Sequence, residues 1–117
     1  QRYERLLKQN AAHILAPCLT EGGVSNWAQY TVRLPQGVDR AAVMQRLKAR
    51  GIPSAINYPR AMHQQTCMRC LGYAPDAFPH VQEACARVLS LPMHPYLSEN
   101  DQQAVVDALT CACGGAA

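Results

Sequence analysis

Apolar and polar positions along the chain recur with two periods, and the switches between them mark out the elements. Tyr3, Leu6 and Leu7 stand at i, i+3 and i+4 among Arg2, Glu4, Arg5 and Lys8, which predicts an amphipathic helix over 1–9. Residues 13–19 have strand character, limited by Pro17, whose missing N–H puts such a strand at an edge or ends it early. Glu21-Gly22-Gly23 marks a turn. The clearest strand runs from Trp27 to Leu34. There Ala28, Tyr30, Val32 and Leu34 alternate with Gln29, Thr31 and Arg33, giving one apolar and one polar face. Asp39 is placed to cap a helix reaching Arg50, with Val43, Met44 and Leu47 as its stripe. Gly51 suits the left-handed position that closes it.

A third strand is predicted over 52–58, with Ile52, Ser54, Ile56 and Tyr58 on one face and Pro53, Ala55 and Asn57 on the other. Pro59 stops its pairing. A short helix around 62–71 ends at Gly72, and the turn from Pro75 to Pro79 leads into a helix over 79–90. Val81, Ala84, Cys85 and Val88 are its expected inward positions. Leu91 to Pro95 is extended, since each proline biases its predecessor away from helix. Ser98 caps a final helix whose Val105, Ala108 and Leu109 face the core, and 114–117 form a tail expected to fray. The strand–helix–strand unit should cross over right-handedly, making 27–34 and 52–58 parallel in direction. With 13–19 between them, every neighbouring pair is antiparallel. The expected fold class is α/β, of the α+β kind: a small three-stranded antiparallel sheet with helices mainly on one face.

Composition narrows this picture. The length of 117 residues suits one core rather than two. Apolar residues make up 49% and charged ones 16%, a globular balance. The net charge of +3 comes from eleven Lys and Arg with no run among them, which argues against a nucleic-acid partner. No apolar stretch approaches the roughly 20 residues of a bilayer span, so no membrane partner is expected. The start has neither an initiator Met nor a signal core, and the chain reads as a segment of something longer. Six cysteines accompany a core that apolar helices and strands can build unaided, which predicts reduced thiols and a cytoplasmic protein.

Candidate chemistry concentrates after the third expected strand, where Arg60, Met62, His63, Gln64 and Gln65 crowd one turn. His13 and His80 read as surface or packing residues. His63 shares its turn with Tyr58, Arg60 and Gln64, so it is either a hydrogen-bonded turn residue or a contact group. Tyr58 is either core or, as the last strand residue, free to reach the turn with its hydroxyl. Arg60 is either solvated or meets a phosphate or carboxylate. The spacing shows no Ser-His-Asp or Cys-His arrangement and no glycine-rich phosphate loop, so no catalytic residue is assigned. Cys67-Met68-Arg69-Cys70 has the spacing of half a zinc site or a redox pair. Cys111 and Cys113 make a poor second half, because i, i+2 residues diverge on a helix. Packing or incidental thiols are therefore the default, and no metal ligand is assigned.

One ordered series of residues adds a likeness to a known family. It runs Gly51-Ile52, Tyr58-Pro59-Arg60-Ala61-Met62-His63-Gln64-Gln65, Leu71-Gly72-Tyr73, Phe78-Pro79, and Val88 through Ser98 with Leu91-Pro92-Met93-His94-Pro95 at its centre. This series resembles the C-terminal small domain of the DegT-type sugar-nucleotide aminotransferases, pyridoxal-phosphate (PLP) enzymes of the aspartate aminotransferase fold (fold type I). The likeness covers about Tyr3 to Leu109. It implies that residues 1–113 are a small domain closing a substrate cleft, while PLP is held by a large domain outside this chain. Lys8 and Lys48, the only lysines, both read as exposed helix positions, so the chain alone is expected to be inactive. The resemblance further implies that Asn57, Tyr58, Met62 and His63 contact the sugar nucleotide, with Arg60 at its diphosphate.

These are positioning roles. The family often has His at the place of Asn57 and Pro-Leu at that of Ala61-Met62, so here a neutral amide replaces an imidazole. The parent enzyme would move an amino group from an amino donor to a keto sugar nucleotide, in polysaccharide or antibiotic biosynthesis, as a homodimer. The isolated segment, exposing the surface that meets the large domain, is expected to self-associate. A PLP-dependent sugar dehydratase of the same family, a stand-alone binding module and a metal-binding module using Cys67, Cys70 and His63 are the alternatives.

Overall fold

A computed structural model describes residues 2–114; Gln1 and the expected fraying of 115–117 lie outside the described residues. Four α-helices and two strands follow in the order α1 (Arg2–Asn10), β1 (Tyr30–Arg33), α2 (Arg40–Ala49), α3 (Pro79–Arg87), β2 (Val88–Leu91) and α4 (Glu99–Ala112). Two 3₁₀ turns, Met62–Gln64 and Thr66–Leu71, stand where a single short helix was predicted. Gly72, at φ +68°, closes the second.

The sheet corrects the sequence-based expectation: it has two strands, not three. β1 and β2 run antiparallel in the register Tyr30↔Leu91, Thr31↔Ser90, Val32↔Leu89 and Arg33↔Val88. The segments expected as further strands each make one isolated antiparallel bridge, Leu15 to Arg33 and Ala55 to Ser90. Bonded positions in an antiparallel ladder recur every second residue, and prolines occupy them on both edges. From Leu15 the next is Pro17 in one direction, while in the other His13 would face Pro35. From Ala55 the next in one direction is Pro53, which would face Pro92; in the other, Asn57 would face Val88, whose N–H is given to Ala84 O and whose carbonyl accepts from Arg40. With these groups missing or already engaged, neither segment extends its pairing.

The element between β1 and the segment around Ala55 is thus β2, not residues 13–19. β2 lay hidden in the sequence because Ala84 to Arg87 continue smoothly into Val88-Leu89-Ser90. The helix stops at Arg87, and pairing with β1 overrides local propensity. Arg40 donates to the carbonyls of Cys85 and Val88, and Arg87 Nε donates to Leu34 O at 2.7 Å, so side chains serve the backbone acceptors at the junction. β1 starts at Tyr30 rather than Trp27 because Trp27 has φ +50°, outside the extended region.

One face of the sheet builds the core. Tyr30 and Val32 of β1 and Leu89 and Leu91 of β2 join Tyr3, Leu6 and Leu7 of α1, Val43 and Leu47 of α2, and Val105, Val106 and Leu109 of α4. These three helices cover that face at their 3.6-residue periodicity. Tyr3 and Tyr30 stack at 5.0 Å between ring centroids, and Trp27 packs on Tyr30 at 5.2 Å. Asp39 caps α2 by accepting from the N–H groups of Ala41 and Ala42. Ser98 and Asp101 form a reciprocal capping box on α4.

Between Ala55 and Val88 the chain leaves the sheet in an excursion that adds nothing to this buried cluster beyond partial packing by Ile56. α3 has no buried residue, and Val81, expected inward, is exposed. The excursion accounts for dimensions of 48 × 35 × 23 Å and a radius of gyration of 15.6 Å, against about 13 Å for a compact chain of this length. Among the described residues no helix is long and apolar enough to cross a membrane.

Candidate functional site

The face of the sheet turned away from the core is polar. In the β1–β2 register Thr31 lies opposite Ser90, and their hydroxyls hydrogen-bond at 2.8 Å. The bridge at Ala55 brings Asn57 alongside. Its amide nitrogen donates to Ser90 Oγ at 2.8 Å and to Gln29 Oε1 at 3.0 Å. Both donors of the Asn57 side chain are thereby engaged, leaving its oxygen as the acceptor it presents. Gln29, Thr31, Asn57 and Ser90 border a cleft of about 120 Å³ whose rim includes Tyr58.

Tyr58 itself is 68% exposed. Of its two readings, core residue or turn-facing hydroxyl, the structure excludes the first. Arg60 is exposed, and its carbonyl accepts weakly from Gln65 Nε2 at 3.5 Å.

Met62 and His63 belong to a different cleft. Pro75 O gathers donors from His63 Nε2 at 3.2 Å, Gln64 Nε2 at 3.4 Å and Gln82 Nε2, tying the first 3₁₀ turn to α3. An Nε2–H given to that carbonyl leaves Nδ1 of His63 as an acceptor. The imidazole stacks on Phe78 at 4.9 Å, and Tyr73 meets Phe78 edge-on at 5.2 Å. With Met62, Met68 and Leu71 these side chains line an open apolar cleft of about 390 Å³. Met62, Leu71, Tyr73, Phe78 and Val81 are all exposed, a patch of the kind that marks contact with another molecule or domain.

The structure therefore joins Asn57 with Tyr58 and joins Met62 with His63, in two clefts along the excursion, with Arg60 on the segment between. Gln29, Thr31 and Ser90 went unremarked as site residues in the sequence. Gln29 and Thr31 were legible as the polar positions of β1, whereas Ser90 was hidden inside an expected helix. A larger groove, about 660 Å³, lies elsewhere, between residues 50–53 and α4. It carries His94, Arg50 and Asp101, but the Asp101 carboxylate is occupied by Ser98, whose hydrogen bonds hold it below the usual aspartate range.

Neither lysine fits a covalent cofactor site. Lys8 pairs with Glu4 at 2.8 Å and is exposed, and Lys48 is exposed near the end of α2. Pyridoxal chemistry calls for a desolvated lysine with a partner for the pyridine nitrogen, and the described residues offer none. Among them, no group of three or more His, Cys, Asp or Glu side chains is arranged to hold a metal ion, so Cys67, Cys70 and His63 do not converge.

Known proteins resemble this chain in sequence and in fold. The model of the DegT/DnrJ/EryC1/StrS aminotransferase family matches residues 1–110. The chain is 35% identical over 108 residues to the UDP-2-acetamido-2-deoxy-3-oxo-D-glucuronate aminotransferase of Pseudomonas aeruginosa, covering 92% of this chain and 28% of that protein. It is 34% identical over 108 residues to the pleiotropic regulatory protein of Geobacillus stearothermophilus, with the same coverage. A DegT DnrJ EryC1 StrS aminotransferase from Brucella abortus superposes with a TM-score of 0.78 at 35% identity, over 97% of this chain and 30% of that one. DesV of S. venezuelae, solved with a ketimine intermediate, shares the fold with a TM-score of 0.82 at 24% identity, over 99% and 31%. The chain spans about three-tenths of the length of these relatives.

Proposed function

Because this chain belongs to the DegT/DnrJ/EryC1/StrS aminotransferase family, we propose that residues 1–113 are the C-terminal small domain of a PLP-dependent aminotransferase. In this reading 114–117 are a tail, and the protein moves an amino group from an amino donor onto a keto sugar nucleotide. The relative from Pseudomonas aeruginosa, named for a UDP-sugar substrate, supports that substrate class. The lysine that carries PLP lies in a large domain outside the chain, and no step of the chemistry runs through residues described here. The protein works in the cytoplasm as a homodimer.

The observation that carries the proposal is the state of the segment from Asn57 to His63. Asn57 is fixed by two hydrogen bonds while Tyr58 and Met62 stand exposed, unused by the core. An amide held from behind with its oxygen presented is suited to a sugar hydroxyl. Exposed Tyr58 and Met62, half-buried His63 and the apolar cleft beyond offer a surface on which a second body can close. Arg60 is free to meet the diphosphate, where a guanidinium binds best. These side chains bind and orient the sugar and exclude water.

The test separates the two halves of the reaction in the full protein. Replacing Asn57 by Ala, or Arg60 by Ala, should raise KM for the keto sugar nucleotide about tenfold, roughly the 1.4 kcal/mol of one hydrogen bond to a polar or charged partner. The half-reaction with the amino donor alone should be unchanged. If neither variant alters KM for the sugar nucleotide, or if both impair the donor half-reaction equally, the segment does not position the sugar.

A further inference from the structure

The Cys67-Met68-Arg69-Cys70 motif is absorbed neither by the core nor by the sugar-binding proposal, and its geometry is specific. Both cysteines are exposed free thiols on the six-residue 3₁₀ turn Thr66–Leu71. A 3₁₀ helix has three residues per turn and rises about 2.0 Å per residue, so i and i+3 eclipse about 6 Å apart along the axis. That separation falls in the Cα spacing of roughly 4.4–6.8 Å that a disulfide requires, and both side chains leave the same side of the turn; closure draws their Cβ atoms from about 6 Å to the roughly 3.5–4.5 Å of a bridge. Cys70 Sγ already lies 3.7 Å from the carbonyl oxygen of Cys67.

We propose that Cys67 and Cys70 are a dithiol site that closes reversibly into an intramolecular disulfide when it meets a low-molecular-weight disulfide such as oxidised glutathione. The thiolate of one cysteine attacks the glutathione S–S bond, forms a mixed disulfide and expels one glutathione thiolate. The other cysteine thiolate attacks the protein sulfur of that mixed disulfide and expels the second. Two electrons pass from the cysteine sulfurs to the glutathione disulfide, and the two thiol protons end on two glutathione molecules. The remaining cysteines lack this arrangement. Cys18 is exposed but alone, Cys85 is half-buried on α3, and Cys111 and Cys113 sit two residues apart at the end of α4. Burial also pushes the Cys113 thiol up to about 11, disfavouring its thiolate. Met68, within the ring so closed, lines the apolar cleft beside His63, so the bridge would fix part of that wall.

Trypsin provides the assay, since Arg69 separates the two cysteines. The protein is treated with oxidised glutathione, unreacted thiols are alkylated, and the denatured chain is digested without reduction. The expected product is residues 61–69 joined to 70–87, two hydrogens lighter than the sum of the two peptides with Cys85 alkylated, and split by dithiothreitol. Cys85 shares the second peptide, so the Cys85→Ser variant must retain the link. In the Cys70→Ser variant the link should vanish, leaving a glutathione adduct on Cys67. Loss of the link in Cys85→Ser overturns the proposal. So does recovery of separate glutathione adducts on Cys67 and Cys70, or of both thiols still free when Cys18 is fully modified.

Discussion

Two buried tyrosines provide one chemical deletion with two opposite expected outcomes. Tyr3 and Tyr30 are each 1% exposed and stack on one another. Tyr3 donates its hydroxyl to Pro92 O at 3.0 Å, whereas the Tyr30 hydroxyl is buried with no hydrogen-bond partner among the described residues. Replacing Tyr3 by Phe removes a donor and strands the Pro92 carbonyl, at a cost of about 1–3 kcal/mol. Replacing Tyr30 by Phe keeps the ring contacts and removes a group that is desolvated without compensation. That change should be neutral or stabilising by about 1 kcal/mol.

The two variants should therefore differ by about 1–4 kcal/mol though both lose one oxygen. Urea unfolding followed by far-UV circular dichroism reads this directly. With a slope of roughly 1.5 kcal/mol per molar urea, the midpoints should separate by about 0.7–2.7 M, Tyr30→Phe at or above and Tyr3→Phe below the parent. Equal losses in both variants would refute the assignment of the free hydroxyl to Tyr30. Alkali gives an independent check. Burial, the leading cause in both, pushes each tyrosine from 10.0 up to about 12. The unfolded chain thus releases these protons first. Stability should hold below pH 10 and fall from there to about pH 12, with a shallower fall in either Phe variant.

Ser98→Ala removes the capping box of α4 and should cost about 1 kcal/mol, measured by thermal melting. Asp101, held below the usual aspartate value by Ser98, contributes stability that is lost as pH falls through its depressed range, so this variant should also show a weaker acid dependence. Gly51 has φ +73° with no atom within 4 Å of an added Cβ, so Gly51→Ala should destabilise by about 1 kcal/mol through backbone strain alone. An equal or higher midpoint for that variant would contradict the left-handed closure of α2. The chain alone, mixed with PLP and dialysed, should keep no visible chromophore. A retained one would assign Lys8 or Lys48 a role their exposure argues against.

Much of the core was legible in the sequence, because it obeys simple periods. The stripes of α1, α2 and α4 and the alternation Tyr30-Val32-Leu34 all point inward as their spacing requires. The caps Asp39 and Ser98 and the closing Gly51 and Gly72 also stand where their side chains, or lack of one, dictate. What escaped was non-local. The third strand failed because on one side of its bridge Pro53 would face Pro92, and on the other Asn57 would face Val88, already engaged with Ala84 and Arg40, which matters only once the partner is known. β2 was missed because Val88 to Leu91 become a strand only against β1, and Ser90, the hydroxyl that holds Asn57, was missed with it. Local pattern likewise cannot tell a 3₁₀ turn from a short helix, yet that difference decides whether Cys67 and Cys70 are eclipsed.

The doorway of the excursion has a consequence for how such a chain can vary. The path leaves the sheet just after Ala55 and re-enters at Val88, two residues before Ser90, the residue to which Ala55 is doubly hydrogen-bonded. Exit and return are thus stapled side by side, whatever happens in between. Loop-closure cost grows only slowly with length, and the intervening residues contribute almost nothing to the central packing. The segment can lengthen, shorten or be exchanged while the layers beneath stay as they are, so one unchanged chassis can carry many differently shaped surfaces.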